Sequence, residues 1–349
     1  MPKSLVRRGL SGFQPYVPGE QPPDGAGWVK LNTNESPLPP SPKVLEAIRA
    51  AVDGSLRLYP SPTAAPAREA IARRLGVDPS HVAVGNGGDE LIDMCFSAFA
   101  GAGDTVAFPT PTYPLFEPLC RLHEARASTH PTEQPSELPP SLAADPSPLK
   151  FIVNPNSPTG ALFDTAAVET VVAASNGVVA VDEAYVDFAP RSCVELLQRH
   201  DNMLVLRTFS KSYALAGMRI GFALGPPALV EALDAVKDSY NVDRLAIVAA
   251  AAAIDDEAHH RALVDEVVRN REELSSGLAG LGFEIVPSAT NFVFCRPPRP
   301  AAEVAQALRE RKILVRHYDR DPIAGWLRIT VGTREQHAAL LAALKEVLA

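Results

Sequence analysis

Between residues 105 and 224 the hydrophobic positions come in short continuous runs, at 105–108, 149–153, 178–182, 203–207 and 218–224. Runs of this length bounded by polar turn residues predict strands buried on both faces, as in a parallel sheet. Helical spacing lies between several of them, most clearly at 164–175, and βαβ alternation of this kind predicts an α/β fold. Upstream, a helix is predicted from Ser41, with Pro42 at its first position, Val44, Leu45, Ile48 and Val52 on one face, and Gly54 as its stop. A second helix ends at Leu75–Gly76, and a short strand covers 81–84. Gly85, Asn86, Gly87, Gly88 and Asp89 then turn into a third helix with Leu91, Ile92, Cys95, Phe96 and Phe99 inward. A glycine-rich turn into a helix N-terminus is a natural anion site. The stretch 131–148, rich in Pro, Ser and Glu, predicts a surface connection.

After residue 240 the pattern changes. An alanine-rich helix (245–254) leads to a charged amphipathic one (257–279). Short strands follow near 283–286, 291–295, 313–316 and 326–331, with helices at 301–311 and 334–348. Residues 1–30 carry Pro15, Pro18, Pro22, Pro23, Gly25 and Gly27 with little periodicity, which predicts an extended arm. The expected division is an arm (1–35), a large domain (36–243) and a smaller α/β domain (244–349).

Composition narrows the class. At 349 residues, with 46% hydrophobic and 21% charged residues, the chain reads as an ordinary soluble protein. A net charge of -8 argues against nucleic acid. The basic pairs Arg7–Arg8 and Arg73–Arg74 and the run Arg309–Lys312 are short, and read as solvated faces. No apolar run approaches a membrane span, and the start lacks the apolar core of a signal peptide. Cys95, Cys120, Cys193 and Cys295 lie far apart without metal-ligand spacing, and Cys95 and Cys295 fall on apolar faces. The adjacent His259 and His260 diverge on a helix and read as surface residues. The expectation is a cytoplasmic protein without structural metal.

The candidate chemistry sits at strand ends, where open α/β sheets place their ligands. One apolar strand ends in Asn154, Pro155, Asn156, Ser157, Pro158, Thr159 and Gly160, and a second in Asp182, Glu183, Ala184 and Tyr185. A third, Met203–Leu206, opens into Thr208, Ser210 and Lys211, with Arg219 eight positions after the lysine. A lysine among hydroxyls can form a Schiff base with an aldehyde cofactor, while the hydroxyls and the guanidinium hold a phosphate. An acid after an apolar strand is costly without a positive partner, and Asp182 can meet a protonated ring nitrogen. Tyr185 can donate to a ring oxygen, and Tyr113 offers a face on which a flat ring stacks.

These motifs together resemble the pyridoxal-phosphate aminotransferases of the aspartate aminotransferase type, and within them the histidinol-phosphate aminotransferases. The resemblance runs from Tyr16 to the segment 327–333. It implies a large domain with a mostly parallel seven-stranded sheet covered by helices, a smaller C-terminal domain, and an arm. It further implies that Lys211 carries pyridoxal 5'-phosphate, with Asp182 on the pyridine nitrogen, Tyr185 on the ring hydroxyl and Tyr113 stacked on the ring. Gly88, Asp89, Thr208, Ser210 and Arg219 would bind the cofactor phosphate. A tyrosine like Tyr59 would reach it from a second subunit, which implies a homodimer with shared sites. Arg328 would grip a substrate anion, with Arg316, Tyr16 and Asn34 close by. The family commonly has Asn where this chain has Ser157, so a bond to the ring hydroxyl is lost, bridged by water, or taken over by Asn154 or Asn156. The activity implied is transamination of L-histidinol phosphate with 2-oxoglutarate. An aromatic amino-acid aminotransferase is the rival reading and a phosphothreonine decarboxylase the third. A cofactor-binding regulator would need a basic DNA-binding segment, for which the arm offers no room.

Overall fold

The computed structural model describes residue 5, residue 10, residues 12–23 and residues 26–349. Arg7, Arg8 and Gly25 lie outside the described residues. The first strand, β1 (Val29–Leu31), is followed by β2 (Val82–Gly85), β3 (Thr105–Thr110), β4 (Arg126–Pro131), β5 (Leu149–Val153), β6 (Val178–Asp182), β7 (Met203–Thr208) and β8 (Gly221–Leu224). Strands β2 to β8 form a seven-stranded sheet in the order β2-β8-β7-β6-β5-β3-β4, and β8 alone runs against its neighbours. The aspartate aminotransferase-like α/β fold expected from the sequence is the fold observed.

The continuous apolar runs exist because both faces of this sheet are covered. On β7, Met203 and Val205 pack with the helices Pro42–Ala51, Ala65–Leu75, Thr165–Ala174 and Arg244–Asp255. Leu204 and Leu206 point the other way, toward Gly87–Phe99, Phe116–Leu122 and Pro227–Val236. A second, five-stranded sheet adds β9 (Glu284–Val286), β10 (Phe292–Arg296), β11 (Ile313–His317) and β12 (Leu327–Thr330), in the order β1-β11-β12-β10-β9. Its core includes Val293, Cys295, Leu308, Ile329, Leu340 and Leu344.

Several expectations fail locally. β4, which has no apolar run to predict it, is a half-exposed edge strand of polar residues that ends where the predicted surface connection begins. The connection 131–148 holds a short helix, Pro140–Ala144. The strand expected at 218–224 starts only at Gly221, because Ala216–Met218 forms a 3-10 turn and Arg219 takes φ +49°. On the first helix Val44 is buried, but Leu45 and Val52, expected inward, are exposed. His260, expected at the surface, is half-buried with its ring flat against Tyr213. All four cysteines are free and buried. Among the described residues no helix is long and apolar enough to cross a membrane, and no group of three or more His, Cys, Asp or Glu is placed to hold a metal ion.

One buried ion pair locks the ends of β6 and β7. Glu183, its side chain wholly inaccessible, accepts from Arg207 Nε at 3.0 Å and Nη2 at 2.9 Å, and from Ser192 Oγ at 2.9 Å. Removing one partner strands the other in the interior. Glu183→Ala is therefore expected to cost about 3 kcal/mol, read as a lower urea midpoint with an unchanged slope. An unchanged midpoint would show that the pair contributes no stability.

Candidate active site

The three polar strand ends lie side by side, because β5, β6 and β7 are consecutive neighbours in the sheet. They open into a cavity of about 480 Å³ whose other walls come from β11, β12, residues 16–21 of the arm and the turn after β1. Lys211, Asp182, Tyr185, Gly88, Asp89, Tyr113, Ser157, Thr208, Ser210, Arg219, Arg316, Arg328, Tyr16 and Asn34 all line it.

Asp182 ends β6 and is 8% exposed. Burial pushes its carboxyl from 3.8 up to about 7, against the backbone N–H of Ala184, which donates to it at 3.0 Å. Lys211 Nζ stands 5.7 Å from the centre of the Tyr185 ring. Tyr185 is held at both ends: Asn34 Nδ2 donates to its hydroxyl at 3.0 Å, and its ring meets Phe292 edge-on. Asn34 is itself fixed by Thr330, which donates to its Oδ1 at 3.1 Å. Asn34 also takes φ +57°, a conformation that asparagine tolerates better than most residues.

One end of the cavity suits a phosphate. The start of the helix Gly87–Phe99, whose first N–H groups have no partner within the helix, lines this end together with Arg219, Thr208 and Ser210. Thr208 Oγ1 donates to Ser210 Oγ at 3.0 Å. Gly87 has φ +84°, and a Cβ there would lie 2.6 Å from Arg219 Nη2, while nothing lies within 4 Å of a Cβ on Gly88. The backbone is thus left open where an anion would approach. Arg219 Nη2 lies 3.5 Å from Asp89 Oδ2, and Asp89 Oδ1 accepts from Tyr113 at 2.9 Å. Burial, and then Asp89, hold the Tyr113 hydroxyl well above its ordinary range.

The opposite wall carries two arginines. Arg316 and Arg328 are direct cross-strand partners on β11 and β12. Arg328 Nη1 donates to Ser157 Oγ at 3.3 Å and Nη2 to the Asn32 carbonyl at 3.2 Å, while its buried Nε has no protein partner. Arg316 donates to the carbonyls of Val17 (2.9 Å) and Pro18 (3.3 Å) in the arm. Tyr16 enters beside Tyr113, their ring centres 5.8 Å apart.

Three of the expected residues do not line this chain's cavity, Tyr59 among them as a residue expected to serve a second subunit's site. Asn154 spends its side chain on Phe163, accepting from its N–H at 2.9 Å, and Asn156 on Pro111 and Thr159. Neither lines the cavity, and Ser157, which stands where the family commonly has asparagine, is engaged by Arg328. Tyr59 is 79% exposed, outside the cavity, and stacked on Tyr240 at 4.5 Å. Sequence reasoning also missed two residues. Glu35 lines the cavity and pairs with Lys30; burial raises its carboxyl, but Lys30, Thr33 and Lys211 outweigh that and hold it below the ordinary range. Tyr318 lies under both arginines, 5.4 Å from the Arg316 guanidinium and 5.8 Å from that of Arg328. Glu35 sits in the polar stretch 32–37, which has no hydrophobic periodicity, and Tyr318 carries no spacing signal.

Comparison with known proteins agrees with this geometry. The family described as aminotransferase class I and II matches residues 26–344. A histidinol-phosphate aminotransferase of Acetobacter pasteurianus is 47% identical, covering 96% of this chain and 95% of its own. One from Geobacter sulfurreducens is 42% identical over 98% and 99% of the two chains. The crystal structure of histidinol-phosphate aminotransferase from Sinorhizobium meliloti in complex with pyridoxal-5'-phosphate superposes with a TM-score of 0.86 at 30% identity, covering 91% and 90%.

The raised Asp182 carboxyl makes a prediction for the protein without ligand. The folded chain binds this proton more tightly than the unfolded chain, so the contribution is full below pH 3.8 and is lost as pH rises to about 7. Asp182→Asn is expected to unfold at higher urea than the original protein at pH 8 and at the same urea near pH 4. Equal midpoints at pH 8 would contradict the burial argument.

Proposed function

Because the chain belongs to the class I and II aminotransferases, we propose that it transfers the amino group of L-histidinol phosphate to 2-oxoglutarate, giving imidazole acetol phosphate and glutamate in histidine biosynthesis. It is a pyridoxal-phosphate-dependent aminotransferase. The observation that carries the substrate reading is the cross-strand pair Arg316 and Arg328 on the cavity wall. Like charges in register repel, so the pair favours an anion between them. A phosphate monoester in one half-reaction and a dicarboxylate in the other both supply it. The curated relatives that span nearly the whole chain bear the histidinol-phosphate name.

Pyridoxal phosphate, when bound, supplies an aldehyde and an electron-withdrawing ring. The rest is work for the chain. Lys211 would anchor the aldehyde and carry the proton that amino transfer takes from one carbon and returns to another. Asp182 would keep the ring nitrogen protonated, and in doing so regain a charge that burial alone denies it. Tyr185, fixed by Asn34, would face the ring hydroxyl, and Tyr113 would stack on the ring. The backbone at Gly88 and Asp89, with Thr208, Ser210 and Arg219, would hold the phosphate. Arg328, Arg316 and Tyr16 would hold the substrate anion, and the arm would exclude water from that side.

The enzyme is proposed to work as a homodimer in the cytoplasm. Leu45, Val52, Leu56 and Leu58 are exposed apolar residues that lead along the chain to the Tyr59–Tyr240 stack, and such a surface suits a second copy. Light scattering is expected to give twice the chain mass, and Leu56→Asp with Leu58→Asp to lower it and weaken cofactor binding together. A monomer with full cofactor affinity would remove this part of the reading.

The substrate assignment is tested by single-turnover absorbance on the cofactor-loaded protein. L-histidinol phosphate is expected to bleach the visible band fastest, ahead of L-phenylalanine and O-phosphothreonine. Arg328→Ala is expected to lower kcat/KM for histidinol phosphate by about a hundredfold, the loss of a charge-assisted pair of bonds. Faster bleaching by phenylalanine would reassign the enzyme to aromatic amino acids.

A further inference from the structure

Lys211 follows directly on the hydroxyl pair Thr208 and Ser210, which bond each other. The residues after it make contacts that lie outside the cavity. Ser212, 2% exposed, donates its hydroxyl to Asp187 Oδ2. Asp187 lies in the 3-10 turn Val186–Phe188, directly after Tyr185, so this bond ties the lysine loop to the tyrosine loop. The next residue, Tyr213, lays its ring on the imidazole of His260, with centres 4.0 Å apart and planes 7° from parallel. His260 Nε2 stands 3.5 Å from the same Asp187 oxygen, and this buried nitrogen makes no hydrogen bond to the protein.

A half-buried histidine on a helix is most often a packing residue. Here, however, the two residues that follow Lys211 both lead to it, one through Asp187 and one by ring contact. His260 belongs to the helix Glu257–Ala279, whose later residues Leu274 and Leu278 are in the core of the five-stranded sheet. The helix that supports the substrate-arginine strands therefore also touches the lysine loop. Other charged groups face the cluster: Arg207 from β7, itself paired with Glu183, acts on Asp187 and Tyr213, and Arg74 and Glu257 act on Tyr213. Burial pushes Asp187 up, but His260, Arg207 and Ser212 outweigh it and hold the carboxyl below its ordinary value. Asp187 is thus a part-buried anion with charged and donor groups on several sides.

We propose that Asp187 and His260 are positioning residues for the reaction, holding the Lys211 loop through Ser212 and Tyr213. The inference rests on the reading of Lys211 as the residue that carries the cofactor. In this arrangement the imidazole N–H offsets the Asp187 charge, and Asp187 in turn fixes the loop from which Nζ projects. Loss of the offset leaves Asp187 more strongly negative beside Ser212, the residue next to Lys211, and favours the protonated form of the lysine nitrogen. Loss of the anion does the reverse.

The test compares the original protein with His260→Ala, His260→Gln and Asp187→Asn, each loaded with pyridoxal phosphate. His260→Ala is expected to lower kcat about tenfold with KM changed by less than about twofold, as for loss of an orienting polar contact. His260→Gln, whose amide N–H can face Asp187 in place of the imidazole, is expected to restore most of kcat. The pH at which the visible absorbance changes is expected to rise in His260→Ala and to fall in Asp187→Asn. Opposite shifts are the decisive readout, because damage to packing alone gives no reason for them. Should His260→Ala not fold, the fall in Asp187→Asn and the retained kcat of His260→Gln still decide. Shifts absent from both charge-altering variants, or in the same direction, would overturn the proposal. An original protein without any visible band would overturn the reading of Lys211 and this inference with it.

Discussion

The site depends on a carboxyl group at the end of an apolar strand. β6 is buried almost throughout, and its last residue, Asp182, is left where water barely reaches. Desolvation raises the carboxyl to about 7, against a backbone N–H that favours the charged form. Such a group is incomplete until a cation meets it, and a protonated pyridine nitrogen is a cation of the right size and shape. The rest of the cavity reads as the means of bringing that ring to Asp182: a phosphate cradle at one end, an amine beside it, and a tyrosine fixed by an asparagine from the turn after β1.

The rigid parts of this arrangement come from the sheet, and the adaptable parts from its surroundings. β5, β6 and β7 fix three polar stations side by side because they are neighbours with both faces buried. The buried Glu183–Arg207 pair locks two of those strand ends together. The wall proposed for the substrate comes instead from β11, β12 and the arm, where Arg316 donates to the carbonyls of Val17 and Pro18 and lies over the Tyr318 ring. An incoming anion can replace those carbonyls at small cost, since they trade a protein donor for water.

What the sequence disclosed follows the same division. The buried strands announced themselves as continuous apolar runs, and the lysine, aspartate and arginine stations stood at their ends. β4 gave no such signal, because an edge strand half in water needs no apolar run. Leu45 and Val52 fitted a helical stripe that the single chain does not bury, which periodicity cannot distinguish from a core face. The family resemblance offered Asn154 and Asn156 to the ring hydroxyl, and in the structure their side chains bond neighbouring loops. Glu35 meets the cavity, and Tyr318 its two arginines, only through tertiary packing, and His260 meets the lysine loop in the same way.

The most direct measurement is the titration of the Asp182 carboxyl itself, by carbon NMR of aspartate-labelled protein with and without pyridoxal phosphate, assigned through Asp182→Asn. Without the cofactor the carboxyl is predicted to titrate near pH 7, and with the cofactor to stay ionised well below that. A carboxyl already ionised at pH 5 without the cofactor would contradict the account, because the cost that the site is built to relieve would not exist.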